Sequence, residues 1–147
     1  MSDKSDYGML YGSYSSWNPN STPLVPFSSG SAGPHTSGVA PDPASSSITV
    51  NTAGVYFVAC NLYIVMGDAG DQIWYINVAK NGTLIPYLQM TANVVESYSI
   101  FAPPTSCSGL VYCDAGDVLT VVSTSGPDYP SNIGPNTLTV FRVSNKL

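Results

Sequence analysis

The segment Ser47-Ile-Thr-Val-Asn-Thr-Ala-Gly-Val-Tyr-Phe-Val-Ala-Cys60 is the clearest indication of the fold class, because it joins a short apolar run to a long one through a turn at Gly54. Valine, isoleucine, tyrosine, phenylalanine and threonine are stiff at χ1 and pack well on a pleated surface. Glycine, asparagine and aspartate supply the tight turns between such runs. The stretch therefore predicts two consecutive β-strands.

The same pattern recurs along the rest of the chain. Asn81-Gly82 separates two apolar runs, and this dipeptide is the strongest short signal for a two-residue β-hairpin turn. No window shows a sustained helical period. The predicted strands, about ten in number, are 7–17, 24–27, 48–50, 55–65, 73–80, 83–90, 94–100, 109–113, 118–123 and 137–143. Strands at this spacing, separated by turn residues, predict an all-β sandwich.

A chain of 147 residues has the size of one domain. Residues 1–6 form a short polar N-terminal arm, and 7–147 form the predicted domain. Residues 28–46 are rich in serine, glycine and proline, so we expect an irregular loop there. Together with the N-terminal segment, this loop is a candidate docking element.

The charge content restricts the partners. Only 9% of residues are charged, against roughly 25% in ordinary domains, so we expect identical neighbours or a larger assembly to cover much of the surface. The net charge is −5, and the four cations, Lys4, Lys80, Arg142 and Lys146, are scattered along the chain. Nucleic acid and anionic membranes are therefore not expected partners.

The sequence offers no membrane or export signal. The longest apolar stretch, 55–66, is about half the length that a membrane-spanning helix requires. The N-terminus lacks the apolar core of a secretory signal, so we expect synthesis in a host cytoplasm.

Catalysis is not predicted. A hydrolytic triad needs a base, and the one histidine, His35, lies in the Gly/Pro/Ser-rich segment without a nucleophile elbow beside it. No phosphate-binding glycine loop precedes a helix, so no nucleotide cofactor is expected.

Two turns contain paired carboxylates, Asp68 with Asp71 and Asp114 with Asp117. Oxygen-rich turns suit calcium, and these four residues are weak candidate ligands. Asp-Ala-Gly-Asp is also an ordinary turn sequence whose glycine tolerates positive φ. Both interpretations stay open at this point.

Three cysteines, Cys60, Cys107 and Cys113, cannot all pair within one chain. We interpret them as small buried apolar residues. Their spacing does not suit zinc.

Several short motifs resemble the jelly-roll superfamily of tumour necrosis factor (TNF) and the globular head of the first complement component. The motifs are Gly54-Val-Tyr56, Lys80-Asn-Gly82 and Ala115-Gly-Asp-Val118, followed by a final strand at 137–143. The opening Tyr7-Gly-Met-Leu-Tyr11 is similar to that of bacterial and phage members, such as the C-terminal heads of Bacillus collagen-like glycoproteins. The chain departs from those glycoproteins because it has no Gly-X-Y stalk.

The resemblance implies a homotrimeric jelly roll in which each subunit packs an aromatic-rich sheet edge against the next. We expect a structural virion protein, namely a capsid decoration or cement protein or a short head-fibre knob of a bacteriophage. The expected partner is the major capsid protein, and the location is the virion surface. The alternative is a recognition module that binds a host glycan or protein receptor through apical loops, with Asp128 and Tyr129 as candidate contacts. A spore- or cell-surface protein is a third possibility.

Overall fold

Thirteen β-strands are found in the described part of the chain, which the computed structural model gives as residues 6–13, 15–19, 22–32, 38–65, 72–94, 104–125 and 131–145. The strands are β1 (Tyr7–Gly12), β2 (Ser15–Trp17), β3 (Ser29–Ala32), β4 (Val39–Asp42), β5 (Ser47–Val50), β6 (Gly54–Leu62), β7 (Ile64–Val65), β8 (Gln72–Lys80), β9 (Thr83–Val94), β10 (Thr105–Cys113), β11 (Val118–Ser125), β12 (Ser131–Ile133) and β13 (Asn136–Ser144).

The strands form two five-stranded antiparallel sheets and one small sheet. Sheet I has the order β10-β6-β13-β1-β3, sheet II has the order β4-β5-β11-β8-β9, and a three-stranded sheet has the order β2-β12-β7. Neighbours in sheet I are distant in sequence, since the last strand, β13, lies between β6 and β1. Sheets I and II pack as a jelly-roll sandwich, so the predicted fold class is confirmed.

The core lies between the two large sheets and follows the period-two alternation of the long strands. In β6 every second residue from Gly54 to Leu62 is buried, while most of the residues between them are half-buried. Sheet II contributes Trp74, Ile76 and Val78 from β8. The largest fully buried side chains are Trp74, Tyr56, Phe27, Leu10, Ile48, Leu62, Ile64, Ile76, Leu88, Met90, Leu119 and Ile133.

An ion pair joins the start of β1 to the end of β13. Arg142 Nη2 lies 3.1 Å from Asp6 Oδ2, and the backbone N–H of Arg142 donates to the Asp6 carbonyl. The Asp6 side chain is 6% exposed and that of Arg142 is 15% exposed. Asp6 is therefore part of the folded domain, although we predicted it as the last residue of a polar arm.

Three sequence predictions about the first third of the chain are wrong. At the predicted strand 24–27 only Leu24 forms an isolated β-bridge, to Val122. The predicted strand 7–17 is two strands, β1 and β2, which lie in different sheets. The predicted irregular loop 28–46 contains β3 and β4, which occupy edges of the two large sheets. Serine, glycine and proline have low strand propensity, but an edge strand needs only one hydrogen-bonded side, and β3 and β4 obtain it from β1 and β5. No helix in the described ranges is long and apolar enough to cross a membrane.

Candidate self-association surface

A row of apolar side chains crosses four adjacent strands on the outer face of sheet I. The backbone register places Leu110 opposite Phe57, Phe57 opposite Phe141, and Phe141 opposite Tyr7. Directly opposite residues project from the same face of a sheet. We call these four residues the apolar row.

The apolar row is open to solvent. Leu110 is 56% exposed, Tyr7 39% and Phe141 38%, while Phe57 is half-buried between its neighbours. Along the same strands Tyr11 and Val143 are also exposed, at 42% and 49%. Aromatic side chains bury large areas and are enriched at the centres of protein interfaces. The outer face of sheet I is thus an apolar surface suited to association.

The ion pair at the end of the sheet fixes this row in place. Asp6 directly precedes Tyr7, and Arg142 directly follows Phe141. The contact between Asp6 and Arg142 holds the start of β1 against β13, next to the paired residues Tyr7 and Phe141. Burial raises the pKa of the neighbouring Tyr56 to about 12, with the Arg142 charge acting in the opposite direction.

The free edge of sheet I is closed by two side chains from sheet II. Tyr87 Oη donates to the Leu110 carbonyl at 2.7 Å, and Lys80 Nζ donates to the Tyr112 carbonyl at 2.9 Å. These carbonyls belong to β10, an edge strand of sheet I. Gly109 permits the approach, because a Cβ there would lie 3.3 Å from the Tyr87 ring. An added strand would have to displace these two side chains to reach the carbonyls, so this part of the edge is protected against strand pairing.

A groove of about 340 Å³ lies beside this edge. Its lining includes Lys80, Leu84, Pro86, Tyr87 and Tyr112. Tyr87 is 61% exposed, which is the largest value among the exposed apolar side chains of the described residues. The groove is apolar with one cation, and that cation already donates to a backbone carbonyl.

A polar clamp joins the β8–β9 hairpin to the β10–β11 turn. Asn81 Nδ2 donates to Asp117 Oδ1 at 2.8 Å, and the Val118 N–H donates to Asn81 Oδ1 at 2.9 Å. The Asp114 N–H donates to Asp117 Oδ2 at 2.8 Å, and Lys80 Nζ lies 4.0 Å from the same oxygen. The hydrogen bond from Asn81 lowers the pKa of Asp117 below its ordinary value, and the Asp114 N–H and the Lys80 charge act in the same direction.

The calcium candidates Asp114 and Asp117 are both part of this clamp. Both carboxylate oxygens of Asp117 accept hydrogen bonds from the protein, and Asp114 Oδ1 accepts one from Tyr112. Gly116 has φ +95°, as an ordinary turn glycine would. In the described ranges no group of three or more histidine, cysteine or acidic residues is placed to hold a metal. This geometry favours the turn interpretation for this pair.

The remaining predicted site residues lie outside the described residues. They are the calcium candidates Asp68 and Asp71, the glycan-contact candidates Asp128 and Tyr129, and the loop histidine His35. The predictions made for them stay predictions.

All three cysteines are free thiols. Cys60 and Cys113 are buried, and Cys107 is half-buried against the core, in register with Cys60 on the adjacent strand. Burial raises the pKa of Cys107 and of Cys113 to about 11, and that of Cys60 well above its ordinary value. This burial agrees with the interpretation of the cysteines as small apolar residues.

Sequence reasoning did not find the apolar row. Its members come from four separate segments, and only the register between distant strands brings them together. A partial signal was present, because β6 and β13 carry aromatic residues out of phase with their buried positions.

The fold is shared with solved structures of TNF- and complement-type proteins. Eiger TNF from S. frugiperda superposes with a TM-score of 0.61 at 18% identity, covering 93% of this chain and 91% of that one. The globular domain of zebrafish complement 1qA superposes with a TM-score of 0.59 at 12% identity, and the match covers 95% of this chain and 96% of that one. Murine APRIL superposes with a TM-score of 0.61 at 10% identity, and the match covers 95% of this chain and 100% of that one. The chain therefore has the TNF/C1q-like jelly-roll fold.

No protein-family model matches the sequence, and no curated protein sequence matches it. None of the three superposed structures is named as that of an enzyme.

Proposed function

We propose that this protein is a non-enzymatic structural protein that assembles as a homotrimer and decorates or cements a bacteriophage capsid, or forms the knob of a short head fibre. The observation that carries the proposal is the apolar row of Tyr7, Phe141, Phe57 and Leu110 on the outer face of sheet I. A partner surface that covers such a row removes its apolar area from water, which stabilises the complex.

A second copy of the chain is the partner that fits this face. With 9% charged residues, the chain has few charges with which to surround an exposed apolar surface, and self-association removes that surface from water. Association through the β10 edge is disfavoured, because Tyr87 and Lys80 already cap two of its carbonyls. The number of subunits, three, follows from the resemblance to the TNF and complement-head superfamily.

The virion role rests on the likeness of the sequence to bacterial and phage members of that superfamily. The likeness is carried by the opening Tyr7-Gly-Met-Leu-Tyr11 and by Gly54-Val-Tyr56. In this role the trimer binds the major capsid protein at a symmetric junction of the shell and bridges its subunits. The segments 1–17 and 28–46 are the docking elements. The protein is made in the host cytoplasm and resides on the capsid surface.

Quantitative mass spectrometry of gradient-purified particles tests this role. The copy number of the chain is measured against the most abundant shell protein. A fixed proportion to the shell supports decoration or cement, and a count far below the shell indicates a fibre knob. Absence from particles would overturn the virion role. The glycan-binding module or the spore- or cell-surface protein would then take its place, and a glycan array with Tyr129→Ala would separate these two.

A further inference from the structure

The hairpin dipeptide Asn81-Gly82 has a reactivity that is independent of the proposed assembly. It is the one Asn-Gly pair in the sequence. Asparagine deamidates when the next backbone nitrogen attacks its side-chain carbonyl carbon, and glycine offers that attack the least steric hindrance because it has no Cβ. Asn81 is exposed, and a Cβ built at Gly82 would find nothing within 4 Å. Water therefore has free access to this dipeptide.

The reaction proceeds in two balanced steps. The Gly82 nitrogen forms a bond to Asn81 Cγ and loses its proton, while the bond from Cγ to Nδ2 breaks and ammonia leaves. A five-membered succinimide ring results. Water then opens the ring at either carbonyl, which gives aspartate or isoaspartate at position 81. Water is the only co-reactant.

The fold opposes the first step at three points. Asn81 Nδ2 is held by Asp117 Oδ1 at 2.8 Å, Asn81 Oδ1 is held by the Val118 N–H at 2.9 Å, and the Asn81 N–H donates to the Val118 carbonyl at 2.8 Å. The backbone is fixed in a turn with φ +52° at Asn81 and +80° at Gly82. Ring closure requires the side chain to rotate toward the Gly82 nitrogen, so the two side-chain bonds must break first, while the backbone bond restrains the turn itself.

We propose that Asn81 is a deamidation site that the clamp from Asp117 and Val118 keeps intact in the folded protein. Deamidation would replace the donor Nδ2 with a carboxylate oxygen facing Asp117. Two carboxylates would then meet where an amide and a carboxylate are bonded at 2.8 Å. The aspartate product would lose the side-chain hydrogen bond between Asn81 and Asp117, and with it part of the link between the β8–β9 hairpin and the β10–β11 turn.

The test compares deamidation at position 81 in the full chain and in the variant Asp117→Ala. Both are incubated at mildly alkaline pH, and the product is measured by peptide mapping with mass spectrometry and by an enzymatic isoaspartate assay. Loss of one hydrogen bond to a charged acceptor should speed the reaction about tenfold. The urea-unfolded chain gives the unprotected rate. Asp42→Ala is the matched control, because Asp42, the last residue of β4, also accepts a backbone N–H from the turn that follows it.

Equal rates in the wild type and in Asp117→Ala would overturn the proposal, as would a folded wild type that deamidates as fast as the unfolded chain. If Asp117→Ala does not fold, stability measurements replace the rate comparison. Asn81→Asp should lower the thermal midpoint, and the swapped pair Asn81→Asp with Asp117→Asn should recover it. An Asn81→Asp variant as stable as the wild type would contradict the clamp.

Discussion

Phe57 and Phe141 lie directly opposite each other on β6 and β13, with ring centroids 5.0 Å apart and ring planes inclined by 34°. Both rings point away from the core, so their contact does not serve the packing of the sandwich. They form the centre of the apolar row, between Leu110 and Tyr7. This pair is the feature on which the account of self-association depends.

The two rings should be energetically coupled. We expect a double-mutant cycle of Phe57→Ala and Phe141→Ala to give a coupling of about 0.5–1.5 kcal/mol, the range for aromatic pairs in contact. Urea unfolding measures it in a Leu110→Lys background, which should remain a single chain, because a change in association would otherwise add to the apparent change in stability. Strictly additive single-variant effects would show that the rings do not interact.

The ion pair between Asp6 and Arg142 should contribute strongly to stability. Asp6→Ala leaves the mostly buried Arg142 charge without its carboxylate partner, and breaking a buried pair in this way costs about 3–5 kcal/mol. The double variant Asp6→Ala with Arg142→Met should recover much of the loss, since it removes the mostly buried guanidinium charge together with the carboxylate.

Urea unfolding compares the stabilities of these variants, with Asp42→Ala as a control at an exposed aspartate at the end of β4. A loss in Asp6→Ala no larger than in the control would refute the role of the pair.

Acid should weaken the clamp at Asp117. Its pKa in the folded protein is lowered, chiefly by the hydrogen bond from Asn81. The stabilisation is therefore complete above the unfolded pKa of about 3.9 and is lost as the pH falls through the folded pKa. The variant Asn81→Ala should show a smaller loss of stability in acid than the wild type.

Unfolding free energies at neutral pH and at several acidic pH values test this prediction, with exposed Asn51→Ala as the control. If the free energy of unfolding falls equally with acid in the wild type and in Asn81→Ala, Asn81 is not the cause of the lowered pKa of Asp117.

The thiols should be unreactive in the folded protein. Burial raises the pKa of Cys107 and Cys113 to about 11, and that of Cys60 well above its ordinary value, so little thiolate is present at neutral pH. We expect iodoacetamide to label these cysteines slowly in native protein and rapidly in urea. Peptide mapping identifies each site, and rapid native labelling at Cys60 would contradict its burial.

The parts of the fold that local sequence patterns determine were predictable. Asn81-Gly82 forms the expected turn, with both residues at positive φ. The long alternating strands β6, β8 and β13 lie close to their predicted ranges. In these segments the side-chain pattern, the turn residues and the burial all favour the same structure.

The parts that depend on distant pairing were not predictable. β3 consists of serine, glycine and alanine, and it is a strand because it pairs with β1. β9 was predicted as 83–90 but continues to Val94, with a shift in its register to β8 between Asn77 and Ala79. The buried Asn77 side chain donates to the Ile85 carbonyl within this irregular stretch. Nothing in the local pattern around Asn77 distinguishes this arrangement from a regular strand.

In the candidate site, too, the local motifs were predictable from the sequence and the contacts between distant segments were not. The motifs Lys80-Asn-Gly82 and Ala115-Gly-Asp-Val118 were visible in the sequence, but their connection through Asn81 and Asp117 required the structure. The apolar row likewise needs the register of four strands whose order in the sheet differs from their order in the chain.

The mass of the protein in solution shows whether the chain assembles through the outer face of sheet I. Light scattering or native mass spectrometry should give three times the mass of one chain for the wild type and for Thr91→Lys, whose side chain is exposed on a strand of sheet II. Leu110→Lys places a charge in the apolar row and should give the mass of one chain while keeping the β-rich circular dichroism spectrum. A wild-type protein that remains a single chain at micromolar concentration, or a Leu110→Lys variant that still assembles, would contradict self-association through sheet I.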